Sequence, residues 1–177
     1  MSKFALPKDY KSVLSVCETQ KAIDDGKKIF EEKLSRALNI RKVPAPLFVD
    51  PATGLNDDLN GVERPVEFVI KETGVKAQIV QSLAKWKRMA LHKYGFSAGE
   101  GLYTDMHAVR RDEYTDNLHS IFVDQWDWEK VITREDRTVN FLKETVKSIV
   151  DAVCDAADEL MKIYPALELR LSRDVKF

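Results

Sequence analysis

Apolar positions recur at helical spacing in three stretches of the chain. Over residues 8–38, Leu14, Ile23, Ile29, Phe30, Leu34, Ala37 and Leu38 fall mostly three or four apart, which predicts a first helix. Gly26 and the Asp24–Asp25 pair dilute its middle, where a break is expected. Residues 82–94 predict a second helix with Leu83, Trp86, Ala90, Leu91 and Tyr94 on the apolar face and Ser82 as its N-cap. A third runs from about Thr138 to Tyr164, its face built from Val139, Leu142, Val146, Ile149, Val150, Val153, Ala157, Leu160 and Met161, and Pro165 ends it.

Between these lie strand patterns. Pro44 and Pro46 forbid helix in IRKVPAPLFV and favour an extended edge segment. After a polar loop over 50–61, Val66, Phe68 and Ile70 alternate in RPVEFVI, and a turn at Glu72–Gly74 leads into a second strand, KAQIV. LYTDMHAVR and HSIFVDQWDW predict two longer strands joined by a polar hairpin connection, and LELRLSRDVKF begins another at the end of the chain. The pattern is α+β: a mostly antiparallel sheet flanked by amphipathic helices, one domain over 1–177, with a sheet that looks unfinished.

Composition narrows the class. The net charge of −1 gives no global field to draw in nucleic acid or an anionic membrane. Cys17 and Cys154 form no CxxC pair and point to a reducing compartment. The N-terminal MSKFALPKDYKSV lacks an apolar leader core, and no run reaches the ~20 apolar residues of a membrane span, so the cytoplasm is the expected location.

Candidate chemistry concentrates on the last long strand. Strand alternation puts Gln125, Asp127 and Glu129 on one face with Ile121 and Val123, and Trp126 and Trp128 on the other with Phe122 and Asp124. Polar groups amid aromatic residues need partners, and Arg110 is a suitable one. An internal Arg–Asp pair on a wet sheet face and a binding site both fit. The loop acids Asp57 and Asp58 read ordinarily as solvated. So do Lys85, Lys87 and Arg88, although a small residue such as Ala84 beside a cation also suits a carboxylate ligand. His92, His107 and His119 stand apart without zinc spacing, so no metal site is expected; FSAGEG lacks the spacing of a phosphate loop.

The run SLAKWKRMALHKYGFSAGEGLYTDMHAVRRDE, followed by LHSIFVDQWDWEKVI and preceded by LNDDLNGVERPV, strongly resembles the ammonia-dependent asparagine synthetases, or aspartate–ammonia ligases. The resemblance runs from about residue 12 to the end. It implies a core like that of the class II aminoacyl-tRNA synthetases. LNIRKVPAP matches the first signature of that core, with Pro46 at the dimer interface, and AVRRDE matches the arginine-bearing second. The third, which carries another ATP-binding arginine, would follow residue 177, so the domain looks truncated.

The implied reaction has two steps. L-Aspartate and ATP, with Mg²⁺, give β-aspartyl-AMP and pyrophosphate; ammonia then releases AMP and asparagine. By the resemblance Arg110 bridges the β-carboxylate and the α-phosphate, Asp112 or Glu113 reaches the adenine end, and Leu118 and Ser120 lie along the nucleotide. Ser82, Lys87, Gln125 and Asp127 match the aspartate-binding positions, Gln125 counting also with Arg110 and Asp57 in the catalytic set. Asp57 matches the loop aspartate that positions or deprotonates ammonium. Three departures stand out: NDDLNG replaces the family's common QDNLSG, IVQSLAKWKR replaces VVHSLAKWKR and so puts Gln81 at a histidine position, and VRRDE replaces LRPDE and adds Arg111. The implied partners are L-aspartate, ammonia and ATP, with a homodimer and neither nucleic acid nor membrane. A non-catalytic half-domain serving dimerisation or ligand binding is the alternative. A tRNA synthetase fragment is disfavoured by the charge.

Overall fold

A computed structural model describes residues 5 and 7–177. Part of the leader-free N-terminal reading, residues 1–4 and 6, lies outside the described residues. The elements in chain order are α1 (Val16–Leu38), β1 (Ile40–Lys42), β2 (Phe48–Val49), β3 (Glu67–Val69), β4 (Lys76–Ile79), α2 (Ala84–Lys93), β5 (Gly101–Val109), β6 (Phe122–Lys130) and α3 (Val139–Ile163). Two compact units share the chain. The first holds Ala5 and residues 41–97 and 101–129; the second holds 7–40, 98–100 and 130–177.

The second unit is built on α1 packed against α3. α1 starts later than the apolar spacing suggests, because Ser15 closes a capping box: its hydroxyl accepts the Glu18 N–H, and the Glu18 carboxylate accepts the Ser15 N–H at 2.8 Å. Residues 7–14, upstream of that cap, are not helical. No break occurs at Gly26; the helix continues through it, and a Cβ there would stand 3.5 Å from Leu160 of α3. Ala22, Leu34 and Leu38 bury their side chains in this unit, as do Ala152, Ala156 and Ala157, whose small size lets backbones approach. Lys33 pairs with Glu159 at 2.8 Å, and the Tyr164 hydroxyl donates to Asp25 at 2.7 Å. The closing segment is not a strand. Arg173 instead reaches Asp155 (2.8 Å), Asp158 (3.0 Å) and Asp151 (3.4 Å) on α3, and Leu169 and Leu171 of the alternating pattern stay exposed.

In the first unit the single sheet expected from the pattern resolves into two three-stranded sheets, ordered β1-β5-β6 and β2-β4-β3. In the latter, β4 pairs antiparallel with both neighbours, Phe48 opposite Ile79 and Phe68 opposite Ala77. Gly74, with φ of 69°, makes the turn from β3 to β4 that a side chain would strain. Central position explains the burial of β5: flanked on both edges, it sends Leu102, Met106 and Ala108 inward as well as Tyr103 and Thr104. α2 packs on β5, and Leu83, Trp86, Ala90 and Leu91 of the predicted apolar face are buried while Tyr94 is exposed. Its N-cap is Leu83 rather than Ser82, but the Ser82 hydroxyl still accepts the Ala84 N–H at 3.3 Å.

Candidate active site

The acidic loop is fastened by a residue that sequence reading passed over. Asn56, 7% exposed, accepts the N–H groups of Gln81 (2.9 Å) and Asp57 (3.1 Å) on its Oδ1. Its amide nitrogen donates to the Ile79 carbonyl at 3.2 Å and to Gln78 at 3.3 Å. Lys85 of α2 reaches the Asn56 carbonyl at 3.3 Å. One carboxamide thus ties the loop to the end of β4, and a cation on α2 adds a third anchor. Further along, Leu59 sits at φ 51° and Gly61 at φ 82°, a tight turn held by Glu63, which accepts the backbone and side-chain N–H groups of Asn60, each at 3.0 Å. Its own backbone N–H, and then Asn60, hold the Glu63 carboxyl below its ordinary range. The signal for Asn56 was present as an amide opening a polar loop, but its partners lie more than twenty residues away.

Beyond β5 the chain makes the hairpin arm that carries most of the expected nucleotide residues. A cavity of about 610 Å³ is lined by Asn60, Gln81, Arg110, Arg111 and Glu113 among others. A second cavity, of about 260 Å³, is lined by Arg110, Glu113, Leu118, Ser120 and Gln125 together with Asp124 and Phe122. Arg110 and Glu113 face both. The fold therefore gathers five of the residues singled out from sequence, Arg110, Glu113, Leu118, Ser120 and Gln125, around one arginine. The guanidinium of Arg110 has no carboxylate partner among the described residues, and its Nε is shut from solvent with no hydrogen bond. A buried donor of this kind is costly unless something satisfies it.

Asp112 is otherwise engaged. Arg64 clasps its carboxylate through Nη2 (2.6 Å), Nε (3.0 Å) and its backbone N–H (2.8 Å), joining the end of the acidic loop to the hairpin arm. These bonds hold the Asp112 carboxyl well below the usual carboxylate range. Of the two residues proposed for the adenine end, Glu113 is the one without such a clasp.

The expected partnership of Arg110 with the polar face of β6 is not what forms. Lys87 of α2, only 4% exposed, takes that place: its ammonium donates to Asp127 and to the Trp128 carbonyl at 3.0 Å, and stands 3.4 Å from Glu129. α2 reaches these acids because Lys87 lies on its buried side, next to Trp86. Lys87 and Asp127, both predicted for the aspartate site, are thus brought together as an ion pair. On the other face Trp126 donates to Asp105, which also pairs with Lys42 at 2.8 Å. Asp57 is half-buried on its loop and lines neither cavity, and Ser82 is spent on the start of α2. His107 stands 3.5 Å from Asp124. Among the described residues no group of three or more His, Cys, Asp or Glu side chains is placed to hold a metal ion, whereas a Mg²⁺ carried on ATP phosphates would need only one or two carboxylates from the protein.

The fold has clear counterparts. It matches an ATP phosphoribosyltransferase regulatory subunit/histidyl-tRNA synthetase from Bacillus halodurans C with a TM-score of 0.57 at 11% identity, over 86% of this chain and 38% of that one. It matches asparaginyl-tRNA synthetase from Entamoeba histolytica with a TM-score of 0.52 at 16% identity, over 87% and 32%. The asparaginyl-tRNA synthetase from Pyrococcus horikoshii complexed with asparaginyl-adenylate matches with a TM-score of 0.51 at 14% identity, over 81% and 32%. The architecture is that of the class II aminoacyl-tRNA synthetase core.

Sequence carries the assignment further. The profile of the family described as Aspartate-ammonia ligase matches residues 17–177, and the chain belongs to that family. An aspartate–ammonia ligase of Clostridium perfringens strain 13 is 54% identical over 178 residues, covering 100% of this chain and 53% of the relative. One from Bacillus cytotoxicus is 54% identical over 168 residues, covering 95% and 51%. The chain spans about half the length of the curated relatives it matches.

Proposed function

We propose that the protein is an aspartate–ammonia ligase, which joins L-aspartate and ammonia at the expense of ATP through a β-aspartyl-AMP intermediate. The observation that supports this reading is Arg110: a cation with no carboxylate partner among the described residues, its Nε orphaned, lining two cavities that also hold Glu113, Ser120 and Gln125. Such a group awaits an anion. In the first step the β-carboxylate attacks the α-phosphorus and pyrophosphate leaves with the electron pair of the broken P–O bond. Carboxylate and phosphate repel each other, and a guanidinium that donates to both offsets that repulsion and meets the charge building at phosphorus.

In the second step the ammonia lone pair forms the C–N bond, and the acyl C–O bond breaks with its pair going to AMP. The amide nitrogen sheds one proton to solvent as the C–O bond breaks, and before the attack ammonium gives up another to become the nucleophile. Asp57, on the loop that Asn56 fastens, positions ammonium and takes that proton. Gln125 holds the aspartate beside Arg110, and Lys87, Asp127 and Ser82 complete the amino-acid subsite. The Lys87–Asp127 pair must then exchange partners, the ammonium turning to the α-carboxylate and the carboxylate to the α-ammonium. Mg²⁺ accompanies the ATP phosphates as their counter-ion. The whole chain forms part of one catalytic domain working as a homodimer in the cytoplasm, with neither nucleic acid nor membrane as partner.

In the complete protein, aspartate-dependent exchange of pyrophosphate into ATP and ammonium-dependent release of AMP are the expected activities. Arg110→Ala should lower both by about 10²-fold or more. Exchange that needs no aspartate, or an Arg110→Ala rate near that of the wild type, would overturn the reading.

A further inference from the structure

Gln81 poses a question that the roles above leave unanswered. It is 1% exposed, and its backbone N–H is tied to Asn56, so its place is set by the same clamp that carries Asp57. Its side-chain Oε1 is shut from solvent and has no hydrogen-bond partner. It lines the larger cavity with Arg110, and the next residue in the chain is Ser82. A buried carbonyl oxygen left without a donor destabilises the folded chain unless a ligand supplies one. The donors that the proposed reaction brings to this cavity are the N–H groups of the amino acid, of ammonia and of adenine, and the ribose hydroxyls.

We propose that Gln81 is the acceptor for the incoming ammonia, a ligand-contacting residue of the second step; this rests on the ligase reading above. Three observations favour ammonia over the other donors. Gln81 is anchored to the Asp57 loop, it shares a cavity with the arginine assigned to the acyl–phosphate junction, and it is neutral. A carboxylate at this position would bind ammonium preferentially and hold its proton, which blocks the lone pair. A carboxamide oxygen accepts one N–H of neutral ammonia without that preference and leaves the lone pair free for the acyl carbon. The bond-making step is the one balanced above; Gln81 transfers no proton and changes only where the nitrogen sits.

The two half-reactions separate this role from others. Pyrophosphate exchange needs aspartate and ATP but no ammonia, whereas asparagine formation needs all three. Gln81→Met, close in volume, is expected to raise the KM for ammonia about tenfold with the KM for aspartate little moved. AMP release should then run ahead of asparagine as water takes over the acyl group. Gln81→His, which returns an acceptor nitrogen at the same position, should restore the coupling. A thermal melt of each variant confirms that it folds. If Gln81→Met lowers exchange and asparagine formation equally, Gln81 serves aspartate or the nucleotide and the proposal falls. Unchanged kinetics with ammonia overturn it too. Absence of aspartate-dependent exchange in the wild type overturns the ligase reading itself, a result that no Gln81 variant would produce alone.

Discussion

Asn56, Gln81, Lys87 and Thr104 are the buried polar or charged side chains among the described residues, and their partners sort them. Asn56 is saturated by donors and acceptors of the chain, which makes it an anchor for the loop, and Lys87 is saturated too, by the Asp127 pair that the proposed reaction must open. Gln81 is not, which makes it a candidate ligand contact; Thr104 keeps an unpaired hydroxyl inside β5 for which the structure offers no account. The hairpin arm has its own anchor in Asp116, whose carboxylate accepts the N–H groups of Leu118 (2.7 Å) and His119 (2.8 Å) and lies beside the His119 ring. The Leu118 N–H first, then His119, hold its carboxyl down to about 2 against an ordinary 3.8. A carboxylate depressed in the folded state adds stability that is complete above the unfolded value and is lost as pH falls towards the folded one. Asp116→Asn should therefore melt below the wild type at neutral pH and converge with it as the pH drops from 3.8 to about 2, read by thermal melts across that range. A gap that persists at the acid end would mean that Asp116 acts by shape rather than charge.

At the scale of elements, helices and strands followed the apolar period where it was long, and the ends were decided by caps. α1 illustrates both. Its apolar face was legible, but its start was not, although the S-x-x-E signature of a capping box lies in the sequence at Ser15 and Glu18. Gly26 was expected to interrupt the helix because its conformational freedom disfavours one; the packing of α1 along α3 outweighs that cost. The same geometry gives a stabilising substitution. A Cβ at this position meets Leu160 at 3.5 Å, an ordinary contact, so Gly26→Ala should raise the unfolding free energy by about 1 kcal/mol through helix propensity. Chemical denaturation measures it, and a loss of stability would show that α1 and α3 have no room to give. The terminal segment failed as a strand for a related reason: alternation describes a face, but a strand also needs an edge to pair with, and Arg173 anchors the segment to acids of α3 instead.

For the whole molecule, the class II architecture follows from both fold and family, while the relatives run to about twice this length. Leu47 and Phe48, beside Pro46, are 51% and 46% exposed, apolar surface at the segment that the resemblance places in a dimer interface. Sedimentation of the purified chain should report twice its 20.3 kDa, and Phe48→Glu should shift it to the single-chain mass. A single-chain mass for the unsubstituted protein would remove the homodimer from the proposal.

Local pattern was enough for the kinds of element other than the closing segment, for the polarity of their faces and for the motifs that mark the family, because periodicity, proline, glycine and short strings depend on neighbours in the chain. The resemblance carried by those strings named Arg110, Glu113, Leu118, Ser120 and Gln125, and the fold sets all five around one cavity. Local pattern was not enough to choose partners across the chain. Arg64 takes Asp112 from 48 residues away, Lys87 takes Asp127 from 40, and Asn56 takes the Gln81 N–H from 25. Each acid or amide had several charge-compatible partners in sequence, and only packing, which brings one within hydrogen-bond reach and shuts water from the others, selects among them.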